Sequence, residues 1–315
     1  MNPQLHIDLP RFVAFGEAKT NLVRVGPDRW RSVCGGGPWR VAVAMSALGE
    51  RSAFAGSISH DVFGESIWQA SVDANLDLRF LQQVAKPPLL RVVAQPGLHR
   101  TPSPLIGNDS ADLAFRPEAL PVGWVRALRW AHFGSASLAR PPLAERLVQL
   151  AGSLKVEGKR ISYDPNFRPG MDARYDETLE RMCAIADLIK VSEDDLRGLF
   201  RTEDPAEGLA KIGSWNPNAC LLLTRGAAGA TLYRGAAEWH AQPPRADLTD
   251  TAGAGDAMMA GLLYSMMNYP EARPPQHLRW SVAARAAASA SADPVPLAAQ
   301  QVASLAERTA VQPGR

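Results

Sequence analysis

The chain has 315 residues, 46% of them hydrophobic and 21% charged, so it can bury the core of one large α/β domain. Lys and Arg total 34 against 32 Asp and Glu, a formal net charge of +2, and no block of like charge stands out. This balance argues against nucleic acid and acidic membrane surfaces as partners. Cys34, Cys183 and Cys220 are far apart and lack metal-ligand spacing, which reads as free thiols in a reducing cytoplasm. Residues 1–10 are polar with no leader-like apolar core, and the longest apolar run, residues 257–267, is too short to span a bilayer. A cytoplasmic location is therefore expected.

In chain order, short β-type runs alternate with helical patterns, as in a doubly wound parallel sheet. Residues 11–16 read as a first strand. Gly35-Gly36-Gly37-Pro38 leads into a helix over residues 39–48. A strand over 52–58 and a helix over 62–74 follow, then a strand over 130–134 and a helix over 142–150. Residues 160–163 form a strand ending at Asp164-Pro165-Asn166, and 188–191 and 220–223 read as further buried strands. From Pro275 onward the tail is mostly Ala-rich helix. Residues 22–33 and 89–106 break the alternation: they carry β-type residues interrupted by Gly and Pro where a crossover helix is expected. They read either as surface loops or as a small β-lid hinged over a site. The organisation expected is one domain over 1–315 with lid segments near 22–33 and 89–106.

The richest stretch is Thr249-Asp250-Thr251-Ala252-Gly253-Ala254-Gly255-Asp256, which runs into the apolar segment 257–263. Gly253 and Gly255 leave backbone N–H groups free to close around an anion, and the following helix adds unpaired donors and a positive dipole end. A carboxylate does not belong in an anion hole unless it has a task there. Accepting a hydroxyl proton beside a phosphate under attack is such a task, so Asp256 is the candidate base of a phosphoryl transfer to an alcohol. A tight loop with an N-capping Asp is the other reading. At a helix N-terminus Asp256 is expected to have a depressed pKa; a loose transition state tolerates a weak base. No Gly-x-x-x-x-Gly-Lys-Ser/Thr, no Gly-x-Gly-x-x-Gly after the first strand and no protein-kinase signature set is present.

Asp250-Thr251-Ala252-Gly253-Ala254-Gly255-Asp256 resembles the C-terminal signature of PfkB-type, ribokinase-like carbohydrate kinases, Asp-Thr-x-Gly-Ala-Gly-Asp. The similarity extends along nearly the whole chain and is nearest the bacterial fructokinase branch. It is carried by Phe15-Gly16-Glu17-Ala18, Gly35-Gly36-Gly37-Pro38-Trp39-Arg40, Gly56 to Gly64, His132-Phe133-Gly134-Ser135, Tyr163-Asp164-Pro165-Asn166-Phe167-Arg168-Pro169, Lys190-Val191-Ser192-Glu193-Asp194-Asp195 and Thr224-Arg225-Gly226-Ala227-Ala228-Gly229.

The resemblance implies a ribokinase-like α/β fold, a central mostly parallel sheet flanked by helices with a small β-lid. It implies transfer of the γ-phosphate of ATP to a sugar hydroxyl. The expected cofactors are ATP and Mg²⁺, with a monovalent cation such as K⁺ as a further candidate. The sugar is the expected partner, together with a second copy of the chain paired through the lid. Catalytic roles fall to Asp256, to Gly253, Ala254 and Gly255 as the anion hole, and to Arg168, a planar permanent cation that could equally be a surface residue after a turn. Lys190, Ser192, Thr224, Arg225, Gly226 and Gly229 are implied as nucleotide-binding. Asn21, Gly36, Gly37, Arg40, Asn166 and Asp256 are implied as sugar-binding. Asp195 could hold Mg²⁺ through waters, or be part of an ordinary acidic helix start.

Three positions depart from the family pattern. Asn21 stands where an Asp usually grips sugar hydroxyls, Arg40 where an Asn is usual, and Asp195 where Glu ends the magnesium motif. They leave two further readings open: a kinase for an acidic sugar such as 2-keto-3-deoxygluconate, and a non-catalytic sugar- or nucleotide-binding member of the fold.

Overall fold

In the computed structural model residues 9–94, 103–243, 253–289 and 297–314 are described. The signature positions 249–252 and the lid residues 95–102 lie outside them. The chain opens with β1 (Phe12–Phe15), β2 (Lys19–Arg24) and β3 (Trp30–Gly35) and enters α1 (Gly37–Ala47). Then come β4 (Ser52–Ser59), α2 (Val62–Asp73), β5 (Leu81–Val84), β6 (Leu90–Val93) and β7 (Leu105–Ile106). A short α3 (Trp124–Ala127) precedes β8 (Trp130–Gly134), α4 (Leu143–Val156), β9 (Arg160–Asp164), α5 (Asp176–Ile185) and β10 (Leu188–Ser192). Helices α6 (Glu193–Phe200) and α7 (Pro205–Trp215) lead to β11 (Cys220–Thr224), β12 (Ala230–Arg234) and β13 (Ala237–Ala241). The chain closes with α8 (Ala254–Asn268), α9 (Pro274–Ser289), α10 (Ala299–Arg308) and β14 (Val311–Pro313).

The main sheet has ten strands in the order β14-β13-β12-β11-β10-β9-β8-β1-β4-β5. From β11 to β5 every pairing is parallel, whereas β12, β13 and β14 add antiparallel strands at one end. Strands covered on both faces are mostly apolar or small, and β1 and β4, the latter with three small buried serines, are buried along their whole length. Their side chains alternate between two cores. Phe12, Ala14, Phe54 and Ile58 face α1, α8 and α9, and Val13, Phe15, Ala53 and Ala55 face α4 and α5.

A second sheet of four strands, ordered β3-β2-β6-β7, is built from both segments that broke the helix–strand alternation. The β12–β13 hairpin and β14 went unread in the sequence, and α4 runs past the expected residue 150 to Val156. β13 and β14 are only partly buried, so they lack the apolar run that marks a central strand.

Strand order reverses between β1 and β8: the chain builds outward from β1 through β4 to β5, then returns to lay β8 to β11 on the other side. Open α/β sheets bind ligands at such a switch point, outside the carboxyl ends of the strands.

Candidate functional site

The carboxyl ends of five parallel strands converge at this crevice. Gly16-Glu17 follows β1, Ser135 follows β8, Asp164 ends β9, Ser192 ends β10 and Thr224 ends β11. The N-termini of α1 and α8 face the same space: a Cβ on Gly253, the N-cap of α8, would lie 3.7 Å from Nη1 of Arg40, in the first turn of α1.

Gly253 has a φ of +113°, which admits glycine far more readily than other residues, and no side chain caps the helix. The first helical bond runs from Ala257 N–H to Gly253 carbonyl, so the N–H groups of Ala254, Gly255 and Asp256 precede the ladder. These three backbone donors have no acceptor within the helix. Asp256 occupies the third helical position and is buried. Burial pushes its carboxyl above the ordinary value of 3.8, against the pull of Arg40, Lys190, Arg168 and Lys19. The depressed pKa expected at a helix N-terminus is thus corrected: loss of water outweighs the four cations.

Arg40 points inward. Its Nη1 is 3.9 Å from Asp256 Oδ2, too far for a hydrogen bond, and its Nη2 would lie 3.2 Å from a Cβ on Gly35. Asn21, on β2, is buried, and its Nδ2 donates to Val33 carbonyl at 3.3 Å while pressing on Gly35. Gly36, at φ +118°, lets the chain pass against Glu17 carbonyl, where any Cβ would collide. Asn166, itself at φ +48°, places its Nδ2 3.3 Å from where a Cβ on Gly37 would stand. Asn21 and Arg40 thus meet at Gly35, Arg40 reaches toward Asp256, and Asn166 meets Gly37, so residues distant in sequence come together around the start of α1. Arg168, two residues after Asn166, donates to Phe167 carbonyl at 2.7 Å and lies within electrostatic range of Asp256 and Lys19.

Lys190 is buried, with Nζ 2.6 Å from Asp164 Oδ2 and close to Gly255. Asp164 retains one buried oxygen, Oδ1, with no partner, and burial holds its carboxyl up to about 6 despite Lys190. The carboxylate raises the Lys190 ammonium above its ordinary value even though burial works the other way, so we read the pair as ionised at neutral pH. Ser192 and Asp195 form a reciprocal capping box at the start of α6: Ser192 Oγ accepts from Asp195 N–H at 3.0 Å, and Ser192 N–H donates to Asp195 Oδ2 at 2.8 Å. Asp195 Oδ1 accepts Phe167 N–H at 2.7 Å. Both Asp195 oxygens are engaged, and among the described residues no group of three or more His, Cys, Asp or Glu is arranged to hold a metal.

On the far side of β10, Arg225 pairs with Glu193 at 3.3 Å and donates to Thr231 Oγ1 at 2.5 Å. Gly226 and Gly229 have φ of +54° and +93°, and Gly229 sits where any Cβ would strike Ala241 carbonyl. Thr224 is buried at the strand end that opens this loop.

Some site residues were missed in the sequence. Glu17 is fully buried: it accepts Ser137 N–H at 3.0 Å and pairs with Lys19 at 3.1 Å. Arg91 on β6 is opposite Asn21 in the parallel pairing of β2 and β6. Charged residues directly after an apolar first strand were the available signal for Glu17 and Lys19. Arg91 had none, because only the sheet register places it.

The pfkB family carbohydrate kinase model matches residues 10–293. The fructokinase of Klebsiella pneumoniae is 33% identical over 257 residues, 79% of this chain and 81% of that protein. The aminoimidazole riboside kinase of Salmonella typhimurium is 30% identical over 259 residues, 80% of this chain and 79% of that protein. The crystal structure of fructokinase from Vibrio cholerae O395 with bound fructose, ADP and calcium ion superposes with a TM-score of 0.82. It is 26% identical and covers 95% of this chain and 99% of that one.

Proposed function

The chain belongs to the pfkB family of carbohydrate kinases, and from that premise we propose that it transfers the γ-phosphate of ATP to a sugar hydroxyl in the manner of the fructokinases it resembles. The observation that carries the reading is Asp256: a buried carboxylate in the first turn of a helix whose leading N–H groups have no intrahelical partner.

The sugar hydroxyl lies against Asp256, held by Asn21, Asn166 and the backbone at Gly36-Gly37. Its oxygen forms the new bond to phosphorus as the bond to the ADP oxygen breaks, and its proton passes to Asp256. Charge on the transferring group is met by the N–H groups of Ala254, Gly255 and Asp256 and by the Arg168 guanidinium. A raised pKa makes Asp256 a stronger base than an exposed carboxylate, which favours the proton transfer. The nucleotide extends past Lys190 and Ser192 to the loop Thr224, Arg225, Gly226 and Gly229.

The donor chemistry fits Mg²⁺: Asp164 Oδ1, a buried hard oxygen without a protein partner, would hold the ion, and Asp195, whose oxygens already accept from Ser192 and Phe167, would take part through water. When bound, the ion supplies charge neutralisation across the phosphates. Residue-by-residue roles, the monovalent cation and the lid belong to the same reading. So does pairing of two copies through the small sheet, where Val25, Trp30, Leu105 and Ile106 are exposed; sedimentation of Trp30→Lys against the parent tests it.

Release of ADP from ATP and Mg²⁺ against a panel of sugars tests the activity. Sugar-dependent release is expected, and Asp256→Asn should lower kcat by about 10²-fold or more while nucleotide affinity by calorimetry holds. Near-parental turnover by folded Asp256→Asn would remove this residue from the mechanism.

A further inference from the structure

The wall of the acceptor space opposite the anion hole is built from cations. Arg40 spans the site: one guanidinium nitrogen reaches toward Asp256, and the other lies beside Gly35, on which Asn21 also presses. Arg91 stands opposite Asn21 in the β2–β6 register, so both side chains leave the small sheet on the same face. Lys19, two residues before Asn21, shares that face, and Arg168 approaches from the β9 end.

The carboxylates nearby do not balance them. Glu17 is taken by Lys19, Asp164 by Lys190, and Asp195 by the α6 cap. Asp256 is the carboxylate left for Arg40, at 3.9 Å. Among the described residues no carboxylate lies within 4.0 Å of Arg91 or Arg168. Burial, then Arg168 and Arg40, push the Arg91 guanidinium below its ordinary pKa, and Arg168 and Arg40 also oppose the charge on Lys19. With Lys19 paired to Glu17, Arg40, Arg91 and Arg168 remain close together with Asp256 as the carboxylate nearest Arg40, and Asn21 beside them carries no charge that would repel an anion.

The phosphate donor does not account for all of them. Its terminal phosphate belongs at the α8 N-terminus, where Lys190 flanks Gly255. The Gly35-facing nitrogen of Arg40, and Arg91 with it, lie on the small-sheet side, at the acceptor.

We infer that the acceptor is an anionic sugar, its carboxylate or phosphate group held by Arg40 and Arg91 at the small-sheet wall while its reacting hydroxyl faces Asp256. A planar guanidinium pair suits either anion through paired charge-assisted hydrogen bonds. The inference rests on the kinase reading for the direction in which the acceptor lies.

The test measures kcat/KM by ADP release for neutral ketoses and aldoses, for sugar acids including gluconate and 2-keto-3-deoxygluconate, and for hexose monophosphates. It uses the parent chain, Arg91→Gln and Arg91→Lys. An acid or a phosphate is expected to exceed every neutral sugar by about 10-fold or more; which of the two leads identifies the anion. Arg91→Gln should cut the anionic-to-neutral ratio on the order of 10- to 100-fold, mainly through KM, with Arg91→Lys recovering part of it. Preference for a neutral sugar, with a ratio that Arg91→Gln does not move, overturns the inference and leaves the kinase reading intact. If no sugar supports ADP release, the kinase reading falls. Calorimetric titration of gluconate and of fructose 6-phosphate into parent and Arg91→Gln then decides the inference alone: binding weakened by the substitution supports it, and no binding to the parent overturns it. Arg91 is half-buried on a short strand, and matched thermal melts confirm that its variants fold.

Discussion

At the residue scale, the main contest is between burial and neighbouring charge. Asp256 is the clearest case: four cations lower its pKa, yet desolvation leaves it raised. The base works only as the carboxylate, so kcat/KM should fall as pH drops through that raised pKa. The acid limb is expected above 3.8, where an unperturbed Asp would place it, and Arg40→Gln, which removes the largest lowering charge, should move it to higher pH. A limb that stays fixed in Arg40→Gln would assign it to another group. Asp164 and Lys190 present the same contest as a stability question. Removing one member strands the other charge in the interior, so Lys190→Met is expected to cost about 3–5 kcal/mol in urea unfolding at neutral pH. Lys190→Met combined with Asp164→Leu should recover much of that loss, because no lone charge remains buried.

At the element scale, helix ends and close helix contacts determine which side chains reach the crevice. The box Ser192-Glu193-Asp194-Asp195 starts α6 at the end of β10 and also ties down Phe167, next to Arg168. Ser192→Ala is expected to cost about 1 kcal/mol of stability, the usual value of a lost N-cap, and to raise the KM for nucleotide through the loosened Asp195. The sequence spelled this box as clearly as it spelled a metal motif, and the folded geometry shows the capping bonds directly. Helix α8 is held against α9 at Gly261, where a Cβ would fall 2.5 Å from Trp280 carbonyl. Gly261→Val should therefore lower stability by about 1–3 kcal/mol, with a downward shift of Tm, by forcing the two helices apart. An unchanged Tm would show that α9 yields without strain.

On the scale of the whole molecule, two sheets face one crevice: the main sheet fixes Asp164, Lys190 and Thr224, while the small sheet carries Asn21 and Arg91. The small sheet has few buried apolar residues and exposes Val25, Trp30, Leu105 and Ile106, so it is the part least anchored to the core. Amide hydrogen exchange in β2, β3 and β6 is expected to slow when a substrate sugar binds, with the central strands unchanged. Equal exchange with and without a sugar that is turned over would make the small sheet a fixed wall.

The sequence by itself determined the class of fold and supplied the parts of the proposed anion hole, for reasons that are local. Strands buried on both faces need continuous apolar runs, and Gly253-Ala254-Gly255-Asp256 carries its own turn, donors and carboxylate. It also determined that residues 22–33 and 89–106 depart from the strand–helix alternation, since no helical period runs through them. Only the tertiary structure decided the rest. Arg40 could have faced solvent or ligand, and its inward direction depends on α1 packing beside α8. Asp256 looked like an acidified N-terminal carboxylate until the surrounding protein removed its water. Arg91 is a lone basic residue in a short strand, and the register of β2 with β6, a contact between residues seventy apart in sequence, is what sets it beside Asn21. Charge and desolvation act through space, so the character of the acceptor wall resides in pairings that no local stretch of the chain contains.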